Sequence, residues 1–229
     1  LNAISIPVLA KSWKDKDFAN IKHVYHKSVS NLLAIGLLLF GLIWLNIENL
    51  VAFLNWVSNK EGGGYEALAP IVFIMGLAKL IDLATGVNGQ IIGTSNYWRF
   101  DFFTNLFYIV LSIPLNFYLI SNYSLIGLAY SNLAALTLYN TVRFLFLYKK
   151  FNLQPYTLQH GLFLILSIAF MFLVYNIPST SNFVMNIAIK SSIYGLGFYG
   201  LIIWINPAPE LKELVQGFLK NKLFGFLRR

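Results

Sequence analysis

Residues 28–45 read SVSNLLAIGLLLFGLIWL and contain no charged side chain. An uncharged apolar run of about 18 residues or more is long enough to cross the hydrocarbon core of a bilayer as a helix. Trp44 lies near one end of the run, where aromatic side chains concentrate at the boundary between lipid and water. This stretch therefore predicts a transmembrane helix.

Five further apolar segments of similar length follow the first one. The six predicted crossings are residues 28–45, 66–92, 100–120, 125–147, 161–177 and 183–205. These segments lack the period-2 alternation of barrel strands, so we expect helices. The sequence predicts an all-α fold: a polytopic transmembrane helix bundle with about six full crossings, preceded by the end of a further helix at residues 1–10.

The composition agrees with a membrane protein. Of the 229 residues, 57% are hydrophobic and 11% are charged, whereas soluble domains have about 45–50% and about 25%. The chain contains no Cys, which excludes disulfides and thiolate metal ligands. The net charge of +8 would also suit a nucleic-acid partner. We expect none, because the cations follow the loops and form no single basic stripe.

Three segments outside the crossings predict amphipathic helices at the membrane surface. Residues 47–57 carry apolar side chains at helical spacing, and residues 11–27 combine that spacing with several lysines. Residues 207–229 begin with two prolines and end in a basic tail, for which a frayed terminus is the alternative.

Fourteen of the 17 basic residues are concentrated in every second loop. They are Lys11, Lys14, Lys16, Lys22 and Lys27 before the first crossing, Arg99 after the second, Arg143, Lys149 and Lys150 at the end of the fourth, and Lys212, Lys220, Lys222, Arg228 and Arg229 after the last. Loops rich in Lys and Arg stay on the cytoplasmic side of a membrane. This distribution predicts a cytoplasmic C-terminus.

Ionisable side chains inside the predicted crossings are candidates for function. Lys79 and Asp82 are three residues apart and share a helix face. Each costs about 2.5–3.5 kcal/mol at bilayer depth on insertion scales. The pair predicts either a substrate or ion site or a mutually neutralising pair that fixes packing. Lys190 is the single cation of the last crossing, and it either extends to the outer interface or lines a cavity.

Asparagines add a second set of candidates. The fourth crossing has a polar stripe of Asn132, Tyr139, Asn140 and Arg143, which predicts a face turned to protein or water. Arg143 is also a candidate topological anchor. The candidate substrate-binding residues are Lys79, Asp82, Asn105, Asn116, Asn132, Asn140, Arg143 and Lys190.

The third crossing begins and bends at identifiable residues. Arg99 and Asp101 at its start predict an interfacial salt bridge. Pro114 predicts a kink, because proline removes a backbone donor from the helix. Asn105 and Asn116 flank this proline, and Asn116 either satisfies the freed backbone groups or contacts a substrate.

Catalytic and metal-binding patterns are weak. The three histidines have no partner at a recognisable metal-ligand spacing. The sequence has no G-x-S-x-G motif and no phosphate-binding glycine loop. We therefore expect no metal, no cofactor and no enzymatic activity.

The most specific stretch is LNFYLI at residues 115–120, followed by NYSLIGLA at residues 122–129. With the order of the other segments, it resembles the C-terminal half of a polysaccharide (oligosaccharide-lipid) flippase of the multidrug/oligosaccharidyl-lipid/polysaccharide exporter superfamily. That family often has Leu-Asn, apolar residues, Ile-Pro and then Tyr-Gly-Ile-x-Gly-Ala-Ala. Here Ser121 replaces the Pro, Ser124 replaces the first Gly, and Leu128 stands where a small residue is common.

The resemblance implies one half of a two-lobed helical transporter with a central cavity. Residues 1–158 would form the C-terminal lobe, as the end of one helix plus four crossings. Residues 159–206 would add two further transmembrane helices, and residues 207–229 a cytoplasmic amphipathic basic tail. The implied location is the bacterial cytoplasmic (inner) membrane.

The resemblance also implies a substrate and partners. The substrate would be a polyprenyl-diphosphate-linked oligosaccharide, moved across the membrane by alternating access. The partners would be membrane lipids, the missing N-terminal lobe, and glycan polymerase or glycosyltransferases. Burial arguments alone make Lys79, Arg143 and Lys190 the candidates for the diphosphate. They likewise make Asn105, Asn116, Asn132 and Asn140 candidates for the sugar hydroxyls.

Rival functions remain open. The first is a cation-coupled drug or metabolite exporter of the same superfamily, with Asp82 as the coupling carboxylate. The second is a membrane-embedded glycosyl or acyl transferase, or an assembly partner in glycan synthesis.

Overall fold

A computed structural model describes residues 2–58, 65, 67–180, 182–213 and 216–217, with the side chains of residues 2–4 excepted. Within these residues the chain forms helices and turns and no strand, which confirms the all-α prediction. The helices are α1 (Asn2–Lys14), α2 (Phe18–Leu45), α3 (Ile47–Val57), α4 (Leu68–Ala84), α5 (Asn88–Gly93), α6 (Trp98–Phe151), α7 (Leu158–Tyr175) and α8 (Phe183–Ile205).

Four of the described helices are long and apolar enough to cross a membrane, namely α2, α6, α7 and α8. This agrees with a membrane protein. The second predicted crossing corresponds mainly to α4, whose 17 residues are at the lower limit of crossing length. The count of six crossings therefore stays a prediction.

The charged segment before the first crossing differs from the prediction of a separate surface helix. α1 continues to Lys14, a short turn follows, and α2 then runs from Phe18 through the first crossing without a break. The Asp17 carboxylate accepts a hydrogen bond from the Asn20 backbone N–H at 2.9 Å, which caps the start of α2. Most of the predicted surface helix is thus part of the same long helix as the crossing.

α6 is a helical hairpin with its turn at Ser124. This residue has φ 53° and ψ −143°, and it is the residue of α6 that leaves helical geometry. We call residues 98–123 the first arm and residues 125–151 the second arm. The arms run antiparallel, since the Tyr139 hydroxyl donates to Asn105 Oδ1 at 2.8 Å. Pro114 keeps helical φ and ψ within the first arm, and the kink predicted there stays a prediction.

The second predicted crossing is divided into two helices. α4 ends at Ala84 and α5 begins at Asn88. Gly86 in the intervening turn has φ 63°, and a Cβ there would lie 2.5 Å from Ser28 Oγ. Both the positive φ and the close approach of α2 require glycine at this position.

One apolar core joins the α7–α8 hairpin to α2. Phe163 of α7 and Tyr194 and Phe198 of α8 are buried against Leu37 of α2. The Tyr194 hydroxyl donates to the Leu37 carbonyl at 3.0 Å. Gly41 allows this approach, because a Cβ there would overlap the Tyr194 hydroxyl.

A second apolar core lies at the opposite end of α2 from α3. It contains Ile21 and Tyr25 of α2, Ile91 of α5 and Leu147 of the second arm. The Trp13 indole of α1 donates to the Ile91 carbonyl at 3.0 Å. This core holds α5 against the open end of the α6 hairpin.

The residues after α8 return to the start of α2. Glu210 forms a salt bridge with Lys27 and accepts a hydrogen bond from the Asn31 amide at 3.1 Å. Residues 209–213 are helical. Most of the predicted amphipathic tail, including Leu214, Val215 and Phe218 to Arg229, lies outside the described residues.

Candidate functional site

Arg143 is the centre of a polar network between α4, α5 and the two arms of α6. The residue as a whole is only 6% exposed. The guanidinium forms a salt bridge with Asp101, and Nε donates to Thr104 Oγ1 at 3.2 Å. The guanidinium carbon also lies 4.1 Å from the centre of the Tyr139 ring. A buried cation needs such partners, since leaving water costs several kcal/mol.

Gly89 of α5 allows the guanidinium to approach the backbone. A Cβ at this position would lie 2.6 Å from Arg143 Nη1. No hydrogen bond joins Nη1 to a described residue. This nitrogen is therefore an available donor beside the wall formed by α5.

Asn105 and Tyr139 extend the network along the hairpin. The Asn105 amide donates to the Asp101 carbonyl at 2.8 Å and to Asp101 Oδ2 at 3.2 Å. Its amide oxygen accepts the Tyr139 hydroxyl. Both arms therefore hold the Asp101 carboxylate against Arg143.

Asn140 connects the network to α4 and α5. It is 2% exposed. Its amide oxygen accepts hydrogen bonds from the Thr85 hydroxyl at 2.9 Å and the Asn88 amide at 3.1 Å. Its amide nitrogen donates to Asp82 Oδ1 at 3.2 Å. The turn between α4 and α5 is needed for this, because it brings Thr85 and Asn88 to the same side chain.

Lys79 and Asp82 are paired. The Lys79 amine donates to Asp82 Oδ2 at 2.7 Å, and 65% of the Lys79 side chain is exposed. Both carboxylate oxygens of Asp82 therefore have partners, one from Lys79 and one from Asn140. The pair is joined to the polar network through Asn140.

A groove of about 480 Å³ opens beside Arg143. Its polar wall consists of Gln90, Thr94, Asp101, Asn105, Tyr139 and Arg143. Guanidinium, amide and phenol groups can donate hydrogen bonds to anionic oxygen. The Asp101 carboxylate lies in the same wall and balances the charge of Arg143, so the groove offers single hydrogen-bond donors without a net positive charge from this pair.

Three candidates from the sequence lie outside this network. Asn116 and Asn132 line a separate cavity between the α6 arms and α4. Lys190 lies on α8 and is 5% exposed, with its amine 5.8 Å from the centre of the Tyr175 ring. Its side chain is thus buried in the protein.

The sequence did not identify the partners of Arg143. Asp101 was expected to pair with Arg99, but Arg99 lies over the Trp98 ring at 5.5 Å. An antiparallel hairpin brings together residues at similar distances on either side of its turn. The crossings predicted at residues 100–120 and 125–147 already imply a turn between them, and pairing residues across that turn would have placed Asp101 and Thr104 near Arg143.

Two of the three histidines, His26 and His160, lie where the start of α7 packs against α2. Thr157 N–H donates to His160 Nδ1 at 3.1 Å, so the ring proton is on Nε2, which lies 2.8 Å from Ser30 Oγ. Ser30 in turn donates to the His26 carbonyl at 2.9 Å. This chain of hydrogen bonds fixes the start of α7 to α2. In the described part of the chain, no group of three or more His, Cys, Asp or Glu residues is arranged to hold a metal ion.

Comparisons with known proteins found no relative of this chain. Neither a family model, a curated protein nor a solved structure matches the chain. The resemblance to a flippase stays a prediction from the sequence. A proposal for the function of this chain therefore depends on the polar network around Arg143 and its groove.

Proposed function

We propose that this chain is the C-terminal half of a membrane transporter for polyprenyl-diphosphate-linked oligosaccharide. It moves the substrate across the bacterial cytoplasmic membrane by alternating access. The observation that supports this most is a buried arginine beside a polar groove in a chain of apolar helices. Ionisable side chains within membrane-spanning segments often have a functional role, so Arg143 is a candidate functional residue.

The chemistry of the diphosphate fits Arg143. A diphosphate cannot enter hydrocarbon without compensation, because an unpaired charge loses its hydration there. Arg143 offers Nη1 as a free donor at the groove, while Asp101 and Thr104 hold the rest of the guanidinium. A fixed, always charged guanidinium replaces part of the lost hydration with no further ordering.

The proposed topology has six crossings: α2, α4, the two arms of α6, α7 and α8. The contact of Lys27 with Glu210 supports an even number of crossings between them, since both residues lie at one end of the bundle. The same end contains Lys149 and Lys150, so it is the proposed cytoplasmic end. Arg143 lies about 10 Å along the helix from Lys150. The groove would thus be reached from the inner leaflet, where sugars are attached to such lipids.

The N-terminal lobe is the proposed partner that completes the cavity. The first arm of α6 carries large exposed apolar side chains, among them Phe102, Phe103 and Phe107. Such a face packs against lipid or against another helical lobe. Glycan polymerase or glycosyltransferases are proposed as further partners on the basis of the substrate alone.

Binding of farnesyl diphosphate to the chain in lipid nanodiscs tests this proposal. The test variant is Asp101→Asn with Arg143→Met, because removing both charges avoids an unpaired buried ion. Arg99→Gln is the matched control, since it removes an arginine of the first arm that lies outside the network. We expect the double variant to bind at least about tenfold more weakly and the control to bind as the unchanged chain does. Equal binding by all three proteins would refute the proposal.

A cation-coupled exporter is the second candidate. The observation that favours it is Asp82, a carboxylate in an apolar helix that is held by both Lys79 and Asn140. Protonation would remove the negative charge that the Lys79 amine and the Asn140 amide both contact, and so weaken the contact between α4 and the second arm. Gradient-driven efflux of a dye that Asp82→Asn abolishes, with farnesyl diphosphate binding absent, would favour this candidate.

A further inference from the structure

An open groove of about 350 Å³ lies on the second arm of α6, at the end of the hairpin away from the turn. Phe100 of the first arm closes one side of it. The rest of the lining comes from one face of the second arm, at the helical spacing i, i+3, i+4, i+7 and i+8, namely Val142, Leu145, Phe146, Lys149 and Lys150. The groove beside Arg143 shares none of these residues, so this is a separate site.

The lining of the groove changes from apolar to basic along the helix axis. Val142 and Leu145 are exposed although they are apolar. The Phe146 ring stacks on Phe100 with 3.9 Å between the ring centres. The two lysines lie in the last turn of the helix. Seven residues separate Val142 from Lys149, which corresponds to about 10 Å. The groove thus has an apolar floor that ends at two cations.

Aromatic side chains indicate the depth of the groove in a membrane. Trp98 and Tyr148 are exposed at the basic end of the groove, and such side chains concentrate at the boundary between lipid and water. The apolar part then lies in the hydrocarbon of the adjacent leaflet, which is about 15 Å thick. A ligand that fills the groove therefore has an apolar chain within the leaflet and a polar group at its surface.

The two lysines define the charge of that polar group. In the described part of the chain neither amine forms a salt bridge, and the Lys150 amine lies 5.1 Å from the centre of the Tyr97 ring. None of the described carboxylates lines the groove. This differs from Arg143, whose charge is balanced by Asp101. Uncompensated lysines at a membrane surface attract anionic head groups.

We propose that this groove binds one anionic phospholipid of the surrounding membrane. An acyl chain lies along Val142, Leu145 and Phe146, and the phosphate accepts hydrogen bonds from Lys149 and Lys150. A phospholipid fits better than a soluble phosphate ion, because four of the six lining residues are apolar. The inference does not depend on the transported substrate, since the two grooves have no residue in common.

Native mass spectrometry of the chain in detergent tests the site, with phosphatidylglycerol and phosphatidylcholine of identical acyl chains added at equal concentrations. The lysine variant is Lys149→Gln with Lys150→Gln, which removes both charges and keeps the apolar lining. The matched control is Lys11→Gln with Lys14→Gln, a pair of exposed lysines in the last turn of α1 outside the groove. Leu145→Trp fills the groove and leaves both lysines in place.

We expect the unchanged chain to retain one phosphatidylglycerol in preference to phosphatidylcholine. The lysine variant should bind phosphatidylglycerol at least about tenfold more weakly, while the control binds it as the unchanged chain does. Leu145→Trp should bind it at least about fourfold more weakly, which corresponds to one CH₂ group that is no longer buried. Equal retention of the two lipids, an equal loss in the control, or full binding by Leu145→Trp would overturn the inference.

The same spectra distinguish a lipid from a second copy of the chain. A dimer that Leu145→Trp dissociates, with no lipid retained by the unchanged chain, would assign the groove to a second copy and overturn the inference.

Farnesyl diphosphate separates this inference from the proposed function. The lysine variant should bind that probe as the unchanged chain does, because Arg143 is intact. If the lysine variant lost both ligands, the lysines would attract phosphates in general and the lipid site would be wrong. If phosphatidylglycerol binding depended on the lysines while farnesyl diphosphate bound to none of the proteins, the lipid site would stand and the diphosphate role of Arg143 would be wrong.

Discussion

Arg143 and Asp101 form a salt bridge that joins the two arms of the α6 hairpin near its open end. Their side chains are 7% and 24% exposed. The residues are 42 positions apart, so the contact exists only when the chain reverses at Ser124. One pair of charges therefore both fixes the fold of the hairpin and forms the wall of the groove.

Removing only one charge of this pair should lower the unfolding free energy more than removing both charges. Asp101→Asn leaves Arg143 buried and uncompensated, and we expect a loss of about 3 kcal/mol in unfolding free energy. Asp101→Asn with Arg143→Met should recover at least half of that loss. Denaturant unfolding in detergent measures both values. Additive losses in the double variant would contradict a direct charge pair.

Gly89 should control access to the guanidinium. Gly89→Ala places a methyl group against Arg143 Nη1, so the side chain must shift away from α5. We expect weaker binding of farnesyl diphosphate, by about tenfold, as for one lost charge-assisted hydrogen bond. Gly161→Ala is the control, because a Cβ there meets no atom within 4 Å. Equal affinity of both variants would show that Gly89 has no role in the groove.

Glycine at position 124 should stabilise the turn of the α6 hairpin. Its φ of 53° and ψ of −143° lie in a region that glycine adopts easily and other residues adopt only under strain. Ser124→Gly should raise the unfolding free energy by about 1 kcal/mol, whereas Ser124→Ala should not. Thermal unfolding of the two variants in the same detergent makes the comparison. A lower melting temperature for the glycine variant would mean that Ser124 is not strained.

Glu210 should make the folded state sensitive to acid. Burial raises the pKa of its carboxyl group, but hydrogen bonds from Lys27 and Asn31 and the charges of Lys27 and His23 outweigh this and hold the pKa below its ordinary 4.5. A lowered folded pKa stabilises the folded state above the unfolded pKa, and the gain is lost as pH falls through the folded pKa. Glu210→Gln should therefore be less stable than the unchanged chain at pH 7, with a gap that shrinks below pH 4.5.

The control for this pH effect is Glu213→Gln, since Glu213 is exposed in the same short stretch. Its melting temperature should follow that of the unchanged chain at every pH. A gap for Glu210→Gln that stays constant from pH 7 down to pH 3.5 would contradict the role of the carboxylate.

Helices bounded by clear stop signals could be predicted from the sequence. α3 and α8 have the predicted bounds, because polar and proline residues flank their apolar runs. The start of α2 was missed because nothing between Phe18 and Ser28 breaks a helix. The predicted surface helix and the first predicted crossing could therefore form one continuous helix.

The candidate site was predictable only in part. The spacing of Tyr139, Asn140 and Arg143 on one helix face indicated a polar stripe, and these three side chains do belong to one network. Their partners depend on the turn between α4 and α5 and on the register of the α6 hairpin. Local sequence patterns do not specify either. Asn132 shares the stripe but lies two turns from Asn140, so it reaches a different cavity.

The most direct test of the account is the sidedness of the helix ends in a bacterial cytoplasmic membrane. The chain has no Cys, so single cysteines can be introduced at exposed positions and labelled from outside intact cells with a membrane-impermeant maleimide. We predict that Ser121→Cys and Ser179→Cys react, while Lys14→Cys, Asn96→Cys and Lys149→Cys react only after the cells are opened. Labelling of the last three in intact cells, with the first two protected, would contradict both the orientation and the route proposed for the substrate.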